Sequence, residues 1–97
     1  MKTYLQPGDL VVKGENALKI AELLTSTSLK ILQILSKEKL DVSSVAERLD
    51  LSEAYVSEQI QLLEEAGLIK ANYKRGKRGV RKICEPAVSR IIIEINP

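Results

Sequence analysis

Residues 41–67 decide the fold: Asp41-Val42-Ser43-Ser44-Val45-Ala46-Glu47-Arg48-Leu49, Asp50-Leu51, then Ser52-Glu53-Ala54-Tyr55-Val56-Ser57-Glu58-Gln59-Ile60-Gln61-Leu62-Leu63-Glu64-Glu65-Ala66-Gly67. Val42, Val45, Ala46 and Leu49 recur at the three- and four-residue spacing of an amphipathic helix, and Asp41 is its cap. Asp50-Leu51 reads as a turn. Ser52 caps a second helix, which buries Val56, Ile60 and Leu63 on one face and stops at Gly67, a residue suited to a left-handed helix end.

Beyond Gly67 the apolar period falls to two. Leu68 to Lys74 and Val80 to Cys84 read as strands around a loop, Arg75-Gly76-Lys77-Arg78-Gly79, so that 68–84 forms a β-hairpin. Pro86 breaks the chain, and Ile91-Ile92-Ile93-Glu94-Ile95 predicts a short strand within a C-terminal segment 87–97. Working back from Asp41, Ser26 caps a helix with Leu29, Ile31, Leu32, Ile34 and Leu35 on a broad apolar face. Asn16 caps an earlier one carrying Ala17, Ile20, Ala21 and Leu24. An N-terminal arm, 1–14, holds a possible short strand at Leu10-Val11-Val12, ended by Gly14. The expected fold is mainly α with a small β-hairpin wing (α+β), a winged helix-turn-helix filling residues 1–97 as a single domain.

Composition removes whole classes of chemistry. The 97 residues contain no His and one Cys. Histidine acid/base catalysis and Ser-His triads are therefore excluded, and a zinc site of His and Cys lacks ligands. One thiol forms no internal disulfide, which points to a reducing, cytoplasmic setting. Cys84 itself reads as a small buried apolar residue. No apolar run reaches the roughly 20 residues of a membrane span, and the start Met1-Lys2-Thr3-Tyr4 is not a signal peptide. Carboxylates are dispersed, with no pair spaced for catalysis. The chain is expected to be no enzyme and to need no cofactor or metal.

Charge is the strongest functional signal. Net charge is only +2, but Lys70, Lys74, Arg75, Lys77, Arg78, Arg81 and Lys82 place seven cations in 13 residues without an acid. The remaining residues hold 8 bases and 13 acids, a sum of −5 (8 − 13). A basic projection on an acidic body suits a polyanion, here double-stranded DNA. Lys74, Arg75, Lys77, Arg78, Arg81 and Lys82 are the expected phosphate contacts, with Arg75 or Arg78 also suited to a minor groove. On the second helix, Ser52, Ala54, Tyr55, Ser57, Glu58 and Gln61 face away from the apolar side and are the expected major-groove residues. That helix carries glutamates and no cation. Glu58 can accept from cytosine N4, whereas phosphate would repel it.

The stretch Leu51-Ser52, Val56-Ser57, Ile60, Leu63 and Ala66-Gly67-Leu68-Ile69 resembles the recognition helix and exit of ArsR-type winged-helix transcriptional regulators. Thr27 to Leu32 resembles that family's second helix, and Val45-Ala46-Glu47-Arg48-Leu49 its third. The resemblance runs from about Ala17 to Cys84, with MarR-like regulators sharing much of it. It implies a homodimeric DNA-binding regulator with contacts at Ala54, Tyr55, Ser57 and Glu58 and on the wing from Lys74 to Lys82. Where the family has an Arg, this chain has Ser28. Where its metal sensors carry Cys-Val-Cys, the chain reads Asp41-Val42-Ser43. The family's C-terminal helix is replaced by Ile91 to Ile95. The expectation is thus a non-metal-sensing, archaeal member, dimerising through its first helix and terminal segments. Its rivals are a sequence-neutral chromatin-associated protein and a winged-helix protein–protein interaction module.

Overall fold

The structure is a computed structural model that describes residues 5–96. The first four residues of the N-terminal arm, which bear on the signal-peptide reading, and Pro97 lie outside the described residues. The elements run β1 (Asp9–Val12), α1 (Gly14–Leu23), α2 (Ser26–Lys37), β2 (Leu40–Asp41), α3 (Val42–Leu49), α4 (Glu53–Glu65), β3 (Ile69–Gly76), β4 (Gly79–Pro86) and β5 (Arg90–Ile93). Four helices and a three-stranded antiparallel sheet of order β2-β4-β3 make a mixed α+β fold.

Helix starts follow the local chemistry, with two shifts from expectation. The cap of α2 is Thr25 rather than Ser26. The Ser28 N–H donates to Thr25 Oγ1 at 3.1 Å while the Thr25 N–H donates to Ser28 Oγ at 2.8 Å, a reciprocal capping box. Ser28 is fully buried, and its hydroxyl also donates to the Leu23 carbonyl at 2.6 Å, so a small polar residue suits the position. In α1, Asn16 lies inside the helix. Lys13 precedes the first turn without a side-chain cap, and Gly14 opens the helix rather than closing the strand.

The helix-turn-helix forms as the sequence predicts. Asp41 Oδ1 accepts from the Ser44 N–H at 2.8 Å, and Ser52 Oγ accepts from the Tyr55 N–H at 3.2 Å. Asp50 takes the left-handed backbone between the helices with φ 55°, a conformation its short polar side chain tolerates. At the end of α4, Gly67 has φ 78° and its N–H donates to the Glu64 carbonyl, while the Leu68 N–H reaches the Leu63 carbonyl. That crossed pair is the Schellman arrangement, and Leu63 and Leu68 at its two ends are both buried. It turns the chain directly into β3.

The core is aliphatic. Ile31 and Leu35 of α2, Val45 and Ala46 of α3, and Val56, Ile60 and Leu63 of α4 meet Leu68, Ile69 and Cys84 at the base of the hairpin. Burial pushes the Cys84 thiol pKa up, so it stays protonated and unreactive. Pro86 ends β4 opposite Ile69 and does not interrupt it. The hairpin strands are longer than predicted, and the loop shrinks to Lys77-Arg78 between paired Gly76 and Gly79. Only Gly79 there has positive φ, 111°.

Two features escape the sequence pattern. The connection after α2 contains β2, which pairs antiparallel with β4 through Leu40–Cys84 and Asp41–Ile83. The two ends of the chain meet: β1 and β5 pair in parallel, Leu10 opposite Ile91 and Val12 opposite Ile93. Arg90 Nε donates to Asp9 Oδ1 at 2.7 Å across that ladder, and Leu10, Val12 and Ile91 pack onto the core edge.

Candidate nucleic-acid interface

Helix α4 presents the expected face. Val56, Ile60 and Leu63 are buried, and Ser52, Ala54, Tyr55, Ser57, Glu58 and Gln61 are all exposed along the opposite side. Ala54 and Ser57 keep the surface low near the helix start, and Tyr55 stands beside them, 40% exposed. Further along, Gln61 Nε2 lies 3.5 Å from Glu65 Oε1, a contact at the limit of a hydrogen bond. The surface is polar and acidic, carrying Glu53, Glu58 and Glu65.

The wing divides its cations by strand register. Lys74 sits opposite Arg81 on one face; Tyr73 opposite Lys82 and Arg75 opposite Val80 share the other. Lys77 and Arg78 form the tip. Every residue from Asn72 to Arg81 is exposed, Tyr73 and Val80 by about two thirds each.

Acidic partners then separate the cations into two groups. Lys70 Nζ meets Glu85 at 3.1 Å, with Lys39 on the other carboxylate oxygen at 3.2 Å, and these two lysines hold the Glu85 pKa below its ordinary value. Arg81 donates to Asp41 Oδ2 from Nε at 2.9 Å and from a terminal nitrogen at 2.5 Å. The Ser44 hydrogen bonds first and Arg81 second draw the Asp41 pKa down to about 2. Lys82 Nζ donates to Glu64 of α4, which raises the lysine pKa. Among the described residues, Lys74, Arg75, Lys77 and Arg78 meet no carboxylate. Composition made seven equivalent charges legible; it could not show that Asp41, read as a cap, and Glu64, read as one surface acid among several, each hold a wing cation.

Residues 25–71, from the cap of α2 into β3, match the model of the arsR family of bacterial regulatory proteins. The fold is a winged helix-turn-helix. A homodimeric winged helix-turn-helix DNA-binding domain (fragment 1–100) of a possible ArsR-family transcriptional regulator from Mycobacterium bovis superposes with TM-score 0.64 at 22% identity, over 75% of this chain and 65% of that one. Reduced HlyU from Vibrio cholerae gives 0.63 at 22% identity, over 77% and 75%. ZitR of Lactococcus lactis, described as a zinc-responsive MarR family member, gives 0.58 at 34% identity, over 65% and 43%. This chain thus spans just under two thirds of the first relative and less than half of ZitR. No curated protein matches the sequence. In these terms α3 and α4 are the helix-turn-helix and β3–β4 is the wing. Among the described residues, no helix is long and apolar enough to cross a membrane, and no three His, Cys, Asp or Glu side chains gather where they could hold a metal ion.

Proposed function

We propose that this protein is a DNA-binding transcriptional regulator acting in the cytoplasm, without metal, cofactor or catalysis. The carrying observation is the pairing of an exposed α4 face with a wing whose cations Lys74, Arg75, Lys77 and Arg78 meet no carboxylate among the described residues. The match of residues 25–71 to a family of regulatory proteins supports it. In this reading α4 enters the major groove by its N-terminal half. Ser52, Ala54, Tyr55, Ser57, Glu58 and Gln61 meet base edges or nearby phosphates, Glu58 accepting from cytosine N4. The wing neutralises flanking phosphates, which α4 cannot do with glutamates alone. Arg81 and Lys82 belong to the same wing.

The regulator is a homodimer through α1 and the terminal strands. Leu18 of α1 is 66% exposed, and Val11 of β1, Ile93 of β5 and Ile95 beyond it are exposed apolar residues of the terminal segments. The homodimeric Mycobacterium bovis domain supports a dimer of this fold. Two-fold symmetry then spaces the half-sites by one helical turn, roughly 34 Å. Sedimentation that finds only monomer at micromolar concentration overturns this part.

The experiment for DNA binding is affinity for random and genomic duplexes across a salt series, with a Lys77→Ala/Arg78→Ala variant alongside. Four phosphate contacts per wing in a dimer give a log–log salt slope of about −7, and the double substitution flattens it. Enrichment of a palindrome marks a specific regulator; tight binding without enrichment marks a sequence-neutral chromatin protein. The exposed glutamates of α4 favour one second reading, docking to a basic protein. Failure to bind duplex even at low salt turns the assignment to it.

A further inference from the structure

Arg81 and Lys82 are neighbours on β4, so their side chains leave opposite faces of the hairpin. Each ends on a carboxylate of a different helix of the helix-turn-helix. Arg81 meets Asp41, the cap of α3, and Lys82 meets Glu64 in the last turn of α4. The wing is therefore held from both sides at one level, and the hairpin beyond that level is exposed throughout. Asp41 makes the firmer anchor, since its two oxygens have separate tasks. Oδ1 accepts from the Ser44 N–H, and Oδ2 accepts from Arg81. A carboxylate tied to a helix start does not rotate freely, so it gives the guanidinium a fixed direction. Lys82 is the better sheltered cation, its side chain 27% exposed against 60% for Arg81.

We infer that Asp41 and Glu64 are positioning residues that set the angle of the wing against α4, with Arg81 and Lys82 serving as struts rather than as phosphate ligands. The phosphate contacts of the wing then fall to Lys74, Arg75, Lys77 and Arg78. Exposed ion pairs add little to stability. Their effect here is on direction, because a projecting hairpin and a helix must reach one duplex together. The inference rests on the DNA-binding reading, and it makes a prediction opposite in sign to simple electrostatics.

Removing a negative charge beside a DNA-binding surface should strengthen binding if only charge matters. Positioning demands the reverse. Glu64→Gln and Asp41→Asn are expected to weaken duplex binding by up to about fivefold, the scale of an exposed pair. Asn still caps a helix well, so Asp41→Asn leaves α3 intact. The swap Glu64→Lys with Lys82→Glu restores the pair and with it the affinity. The salt slope gives a second sign: Lys77→Gln and Arg78→Gln each reduce its magnitude by about 1.8, the loss of one phosphate contact per protomer of the dimer, whereas Arg81→Gln and Lys82→Gln lower affinity at every salt concentration and leave the slope unchanged. Tighter or equal binding by Glu64→Gln and Asp41→Asn overturns the inference, as does a slope reduced by Arg81→Gln or Lys82→Gln. Failure of the unaltered protein to bind any duplex defeats the DNA-binding reading instead. Amide hydrogen exchange across residues 70–84 then decides the struts: faster exchange in Glu64→Gln and Asp41→Asn upholds them, and unchanged exchange removes them.

Discussion

The β2-β4-β3 sheet and the β1-β5 ladder solve the same problem by opposite routes. In the sheet, β3 and β4 are joined by the two-residue turn Lys77-Arg78 and pair antiparallel over eight residues each. In the ladder, Asp9 and Arg90 lie 81 positions apart and pair in parallel over four residues. The hairpin closes locally at small entropic cost, whereas the ladder waits until the helices between its strands have packed. The sheet has Leu68, Ile69 and Cys84 beneath it in the main core. The ladder rests on a partly buried rim and is tied by the Asp9–Arg90 pair. One region is an integral part of the core and the other a clasp laid over it. Local stability should follow that difference.

The largest test of the contrast is Leu68→Ala. Leu68 is fully buried under the hairpin base, and its truncation is expected to cost about 2–5 kcal/mol in urea unfolding. Ile91→Ala makes the matching change under the ladder. Ile91 is only partly buried, so the expected cost is about 1–2 kcal/mol, with faster amide exchange in β1 and β5 and none at the hairpin base. Equal costs for the two substitutions would abolish the distinction between core and clasp. Third is Gly79→Ala. Nothing lies within 4 Å of a Cβ added there, so the penalty comes from φ 111° alone. About 1 kcal/mol is expected, with Arg78→Ala within about 0.5 kcal/mol as the control.

The smallest effect is a titration. The Arg90 hydrogen bond first, and a Gln6 backbone bond second, draw the Asp9 pKa from 3.8 to about 2. Asp41 is drawn equally low, but by Ser44 before Arg81. Both folded pKa values are depressed, so each carboxylate contributes stability above its unfolded pKa and loses it as pH falls from about 4 to about 2. Carboxylate NMR of Arg90→Gln and Arg81→Gln separates them. Loss of Arg90, the leading cause, lets the Asp9 pKa climb back toward 3.8, while that of Asp41, held first by its Ser44 hydrogen bonds, moves less without Arg81.

Much of the candidate site's scaffold was legible because its determinants are local. Asp41 and Ser52 stand where caps belong, Val56, Ile60 and Leu63 keep helical spacing, and Gly67 marks the exit into the hairpin. The exposed face of α4 follows from that spacing alone. Smaller shifts came from competing local chemistry. Thr25 outdid Ser26 as a cap because Ser28, three residues on, returns its hydrogen bond. The hairpin loop shortened because Gly79 by itself supplies the positive φ.

The sequence by itself determined four helices, a helix-turn-helix, a basic hairpin after it and an aliphatic core, since periodicity, capping and turn residues act within a few positions. Only the tertiary structure decided that the chain ends pair with each other, that two residues before α3 join the sheet as β2, and that Arg81 and Lys82 face Asp41 and Glu64. Those contacts join residues far apart in the chain, where no spacing rule operates. Their partners are set by how the helices pack, and packing is a property of the whole chain.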